Sequence, residues 1–299
     1  MKTATTKVAK KQTQGGRVIR RLMDRIPTGR PSWNSAMRSA AVEVLDSKRW
    51  VKGPQGKAFG AAFAAYTGAL TAVPCQNGSS ALWAALRIAD IGPGDEVIVP
   101  SYTFISTATC ILLVGATPVF VDVDPEFYCL DVDAATKAMT ADTKAVIGVH
   151  LFGHPYDPKL IELCQRHDLV LIEDAAQAHG ANQNFDDGSK KAAGSMGDLS
   201  CFSFFPSKNM AVGGEGGMLA TTNEAYTAKL TAIINHGRSP ELHAMELGSN
   251  MRMSEVAAAI GLEQLNLLDT WVERRRQIAS RYSNALLNHP YLKAPKTRS

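Results

Sequence analysis

The sequence predicts an α/β fold in which a mainly parallel central sheet is flanked by helices. Three observations predict it. From about Thr71 onward, short apolar runs of strand length alternate with stretches of helical period. The runs are continuous and rich in β-branched residues, as strands buried on both faces are. The segments joining them are long enough and periodic enough for crossover helices, which favours parallel pairing.

Taken in order, residues 96–100, 118–123, 144–149 and 169–172 are predicted strands. Residues 79–89, 106–114, 132–139 and 158–166 are the helices between them. Gly92-Pro93-Gly94-Asp95 is a turn from helix to strand. Residues 218–221 then predict a strand and 224–235 a helix, followed by a polar loop through Gly248. A long helix runs from Ser254 to about Leu287, with Ile260, Leu262, Leu265, Leu268 and Trp271 at spacings of three to four.

Composition narrows the class. The chain has 299 residues, 45% hydrophobic and 20% charged, with a net charge of +4. That is ordinary globular composition with material for a sizeable core. Lys2, Lys7, Lys10, Lys11, Arg17, Arg20 and Arg21 precede Asp24, so residues 1–25 are expected to form a basic, disordered tail. They lack the aromatic interleaving of a nucleic-acid site, and no apolar stretch of a signal peptide follows them. No apolar run approaches the ~20 residues that cross a bilayer. Cys75, Cys110, Cys129, Cys164 and Cys201 are scattered without a CxxC pair. They read as reduced, buried thiols of a cytoplasmic protein, and no metal site is expected.

Several segments carry candidate chemistry. Gln76-Asn77-Gly78-Ser79-Ser80 follows a strand and opens a helix, where free backbone N–H groups suit a phosphate; an ordinary capped turn fits the same residues. Pro100-Ser101-Tyr102-Thr103-Phe104 ends a strand, the place where ligands bind in open α/β sheets. Phe104 there serves either as a stacking surface or as core. Glu173-Asp174-Ala175-Ala176-Gln177-Ala178-His179-Gly180 puts an acidic pair at the end of a strand. Alternate residues of a strand point to opposite faces, so one acid faces a ligand while the other faces solvent or a neighbouring loop. Asp174 as a helix cap is the simpler alternative. Phe202-Ser203-Phe204-Phe205-Pro206-Ser207-Lys208 precedes Gly213-Gly214-Glu215-Gly216-Gly217. A lysine among apolar residues ahead of glycines suits covalent catalysis, and a surface lysine fits the segment equally well. The glycine run lacks the lysine and hydroxyl of a P-loop.

In chain order, these segments and others resemble the DegT/StrS-like family of pyridoxal phosphate (PLP)-dependent sugar aminotransferases. The others include Arg49-Trp50-Val51-Lys52-Gly53-Pro54, Gly94-Asp95-Glu96-Val97, Val149-His150-Leu151-Phe152-Gly153, Asn235-His236-Gly237-Arg238 and Gly248-Ser249-Asn250-Met251-Arg252. The likeness spans about Arg49 to Leu287. It implies the aspartate-aminotransferase-like fold (fold type I), with residues 26–253 as the large PLP-binding domain. Residues 254–299 then lead from the long helix into a small C-terminal domain that is largely missing, so a truncated chain is expected.

The resemblance also implies roles. Lys208 carries PLP as a Schiff base and moves the proton, and Asp174 pairs with the pyridinium nitrogen. Gln177 approaches the 3′-oxygen, and Phe104 stacks on the ring. Gly78, Ser79 and Ser203 bind the phosphate, and Asn250 completes that site in the partner subunit of a homodimer. The implied reaction is ping-pong transfer from glutamate or glutamine to a keto sugar, nucleotide-linked in this family's usage. A cyclitol aminotransferase, an amino-aromatic synthase and a PLP-binding protein without turnover are the alternatives. The related sugar dehydratases replace the lysine with histidine, which Lys208 argues against.

Overall fold

A computed structural model describes residues 29–238, 243 and 246–298. The basic tail expected over residues 1–25 lies outside the described residues. The described residues from 31 onward cluster as one compact unit.

Two helices open the described chain, α1 (Ser35–Ser47) and α2 (Pro54–Thr67). The Asn34 side chain caps α1 by accepting from the Met37 N–H, and Pro54 supplies the preset φ of a helix start for α2. A seven-stranded sheet follows, built from β1 (Thr71–Cys75), β2 (Glu96–Pro100), β3 (Thr117–Val121), β4 (Thr143–Val149), β5 (Val170–Asp174), β8 (Leu199–Ser203) and β9 (Gly217–Thr221). Its spatial order is β1-β9-β8-β5-β4-β2-β3. The pairs β2–β3, β2–β4, β4–β5 and β5–β8 are parallel, whereas β9 runs antiparallel to both β1 and β8.

The connecting helices are α3 (Gly78–Ile88), α4 (Ile105–Leu113), α5 (Val132–Ala138), α6 (Lys159–His167) and α7 (Thr227–Ile233). The expected helix over 224–235 divides into a 3₁₀ turn, Glu224–Tyr226, and α7. The loop after β5 holds a small antiparallel hairpin, β6 (Asn182–Asn184) with β7 (Lys190–Ala192). The chain closes with α8 (Glu255–Leu286), capped by the Ser254 hydroxyl on the Ala257 N–H.

Two apolar layers clothe the sheet, one on each face. Ile98, Val146, Leu171 and Phe202 face a cluster with Phe59, Phe63, Leu160 and Leu268. Their neighbours Val97, Val99, Ala145, Ile147, Ile172 and Cys201 face the other, with Leu82, Leu86, Ile111 and Leu230. Burial on both faces is why these strands carry no polar alternation. Fully burying each such side chain stabilises the fold by about 1.5–3 kcal/mol. The first half of α8 lies on α1 and α2, while Ile278, Tyr282 and Leu287 further along are exposed. Among the described residues, no helix is long and apolar enough to cross a membrane.

Candidate active site

Because β1, β2, β4, β5 and β8 are mutually parallel, their carboxyl ends share one edge of the sheet. Such an edge is where ligands bind in open α/β sheets. A cavity of about 530 Å³ opens there, and residues following each of those strands line it. Gly78, Ser79, Phe104, Asp174, Gln177, Ser203 and Lys208 all contribute to its wall. Asn250 does not line it; it is exposed and bridges to Asn235.

Asp174 ends β5 and is 6% exposed. Its Oδ2 accepts from the Thr107 hydroxyl at 2.9 Å and its Oδ1 from the Ala176 N–H at 3.2 Å. Burial raises its pKa, and the Thr107 and Ala176 bonds with the charge of Lys208 offset this only in part. A buried carboxylate held above its ordinary range, against a cavity, is the complement of a cationic N–H donor. A pyridinium nitrogen fits that requirement.

Glu173 points to the opposite side of the strand and is fully buried. It accepts from the Gly194, Met196 and Gly197 N–H groups, the Ser200 hydroxyl and His150 Nε2, at 2.7–3.0 Å. Thus it faces a neighbouring loop and not solvent. His150 Nδ1 accepts from the Tyr156 N–H at 3.3 Å, which puts the neutral ring's proton on Nε2, toward Glu173. Burial alone would raise the Glu173 pKa, but the hydrogen bond from His150 and the Gly194 and Gly197 amides hold it below the usual value. Stability from this carboxylate is therefore present above the unfolded value of 4.5 and is lost as pH falls through the lower folded value. Replacing Glu173 with Ala strands those donors, and thermal denaturation is expected to show a loss of about 3–5 kcal/mol. A loss below about 1 kcal/mol, the worth of one ordinary hydrogen bond, would show the network to be incidental.

Gln177 reaches the cavity two residues beyond Ala175. Its Oε1 accepts from the Phe152 N–H at 2.8 Å, which leaves its NH₂ group to donate into the cavity, as a phenolic oxygen requires. Phe104 is 65% exposed at the start of α4 and presents its ring to the same space. Lys208 is half-buried, in a turn closed by its N–H on the Phe205 carbonyl.

The phosphate end is the start of α3. Asn77 caps the helix by accepting from the Ser80 N–H. The Ser79 and Ser106 hydroxyls pair at 2.8 Å, and Ser203 stands across from Gly78 at the end of β8. A Cβ on Gly78 would come within 2.9 Å of the Ser203 Cβ, and one on Gly217 would meet the Asn77 and Gly78 backbone. Glycine at both positions is what lets the loop pack closely against the paired ends of β8 and β9. Unpaired N–H groups at a helix start, beside hydroxyls and lined by glycine, suit a phosphate.

Thr107, Ser106 and His150 were not singled out in the sequence. Thr107 lies three residues past Phe104 and Ser106 two, so the helical spacing of α4 brings both to the cavity side. His179 follows Gln177 in the motif yet belongs to the core, among Phe63, Phe202 and Phe204. Burial first, then the charges of Lys208 and Arg275, lower its pKa to about 3, so the ring is neutral.

Comparison with known proteins follows the same line. The model of the DegT/DnrJ/EryC1/StrS aminotransferase family matches residues 32–299. The chain is 44% identical over 246 residues to the UDP-N-acetyl-3-dehydro-alpha-D-glucosamine 3-aminotransferase of Acidithiobacillus ferrooxidans, covering 82% of this chain and 65% of that protein. It is 40% identical over 260 residues to the dTDP-3-amino-3,4,6-trideoxy-alpha-D-glucose transaminase of Streptomyces venezuelae, covering 87% and 67%. Among solved structures, S. venezuelae DesV in complex with a ketimine intermediate superposes with a TM-score of 0.83 at 39% identity, over 88% of this chain and 70% of that one. The chain therefore spans less than two thirds of the Acidithiobacillus relative's length.

Proposed function

The chain belongs to the DegT/DnrJ/EryC1/StrS aminotransferase family, and from that premise we propose that it transfers an amino group to a nucleotide-linked keto sugar with PLP as coenzyme. The observation that carries this reading is the meeting of Lys208, Asp174, Gln177, Phe104 and the α3 start around one cavity. The names of the two relatives, which specify a UDP-linked and a dTDP-linked sugar, support a nucleotide-linked acceptor. Glutamate or glutamine is the proposed donor, in a ping-pong cycle.

PLP, when bound, supplies an aldehyde that takes up amino groups and a protonated ring that draws off electrons when a C–H proton leaves. The residues would act around it as follows. Lys208 would hold the aldehyde end and, once displaced, carry the proton between the two reacting carbons. Asp174 would keep the ring nitrogen protonated, fixed by Thr107 and Ala176. Gln177, oriented by the Phe152 N–H, would donate to the 3′-oxygen. Gly78, Ser79 and Ser203 would bind the phosphate, and Phe104 would cover the ring face. Asn250, exposed and outside its own cavity, would complete the partner's phosphate site in a homodimer.

The test is to load the chain with PLP, add glutamate or glutamine, and watch the coenzyme absorbance pass from the aldehyde to the amine form. UDP- and dTDP-linked keto sugars should then restore the aldehyde form. Absence of the first change with both donors would overturn the proposal. Phe104→Ala is expected to weaken PLP binding about twofold to tenfold, the worth of one aromatic stack of about 0.5–1.5 kcal/mol, read by coenzyme titration. Unchanged affinity would remove Phe104 from the coenzyme site.

A further inference from the structure

We propose that two buried thiols, Cys75 and Cys110, are positioning residues that aim the phosphate-binding turn at the start of α3. This rests on the PLP reading above and assigns work to side chains which that reading leaves unused.

Cys75 ends β1 and its Sγ donates to the Asn77 carbonyl at 3.4 Å. Cys110, on α4, donates to the Ser79 carbonyl at 3.3 Å. Both are within 1% of full burial, and neither forms a disulfide. Burial raises Cys75 to about 12 and, joined by the charge of Asp174, raises Cys110 to about 11; backbone contacts at Asn77 and Trp83 oppose the shifts. Both groups are therefore protonated near neutral pH, and an S–H is available to donate.

The geometry then does the rest. A peptide unit is planar, so a carbonyl fixed on one side fixes the N–H that shares its plane on the other. The Asn77 carbonyl shares its plane with the Gly78 N–H. Held by Cys75 and by the Ala81 N–H at 3.1 Å, it directs the Gly78 N–H away, toward the cavity. The Ser79 carbonyl shares its plane with the Ser80 N–H, which already donates to the Asn77 cap. Cys110 therefore stiffens the cap, and Ser106, one helical turn before it, steadies the Ser79 hydroxyl. Close packing of Gly217 against Asn77 bars the turn from retreating toward β9. Cys75 acts on a ligand-facing N–H and Cys110 on a capped one, so Cys75 should matter more.

Alanine and serine replacements at each position separate positioning from packing. Alanine removes the donor together with the sulfur's packing, whereas serine restores a donor in nearly the same volume, so recovery by serine reports the hydrogen bond. Apoprotein would be titrated with PLP and with pyridoxal, which has the ring and aldehyde without the phosphate. Cys75→Ala is expected to weaken PLP binding about threefold to tenfold, as loss of one hydrogen bond would. Cys110→Ala should weaken it less, both should leave pyridoxal affinity unchanged, and both serine variants should recover PLP affinity. Competition by inorganic phosphate should fall in parallel, and it reads the same site if an alanine variant is too unstable for a full titration. Equal losses for PLP and pyridoxal, wild-type affinity in both alanine variants, or serine binding PLP more weakly than alanine would overturn the inference while leaving the coenzyme reading intact. A wild-type chain that takes up neither PLP nor phosphate would overturn both.

Discussion

Lys208→Ala is expected to abolish covalent attachment of PLP and to slow the donor half-reaction by about 10³-fold or more, the scale of losing a positioned acid–base group. The variant should still bind the coenzyme, since Asp174, Phe104 and the α3 start stand on other elements. Its absorbance should match that of free PLP, and stopped-flow mixing with glutamate gives the rate. Lys208→Arg is expected to be equally inactive, because guanidinium keeps its charge and is not a nucleophile at neutral pH. A half-reaction within tenfold of wild type in either variant would move the chemistry elsewhere.

Asp174→Asn is the second large effect, and its two consequences run in opposite directions. The half-reaction should fall by a factor of hundreds to thousands, the cost of about 3–5 kcal/mol for removing one member of a buried ionic pair. The apoprotein should lose nothing in stability. Burial raises the Asp174 pKa above its unfolded value of 3.8. For a raised carboxyl, the charged form is the one that folding disfavours. The penalty is present above the folded pKa and is relieved as pH falls through it. Asparagine removes that penalty and keeps the contacts, since its oxygen can accept from the Ala176 N–H and its amide can donate to Thr107. Thermal denaturation of apoprotein near neutral pH should therefore show the variant equal to or more stable than wild type. A less stable apoprotein would mean that Asp174 is a structural residue.

Much of the site was legible because a parallel sheet gathers distant residues at one edge. Asp174 ends one predicted apolar strand and Phe104 follows another, so placing those strands placed both; Lys208 was legible from its own segment, an amine among apolar residues ahead of a glycine run. What stayed hidden has local reasons. β8 reads Leu199-Ser200-Cys201-Phe202-Ser203, with serines that break the apolar run, because Ser200 is needed inside to donate to Glu173. The helix α2 carries Gly56 and Gly60, poor helix formers; Gly60 is required because a Cβ there would strike the Ala72 carbonyl. The His150–Glu173 contact joins residues whose separation in the chain carries no periodic signal. The reversal of β9 follows from no pattern in its own five residues, since a strand buried on both faces looks alike in either direction.

Reduction of the PLP-loaded chain with borohydride, followed by peptide mapping, tests the central claim most directly, because it fixes the coenzyme to whichever amine holds it. A single phosphopyridoxyl group is expected, on the peptide containing Lys208. A label on any other lysine, or no label on a chain that has demonstrably bound PLP, would contradict it.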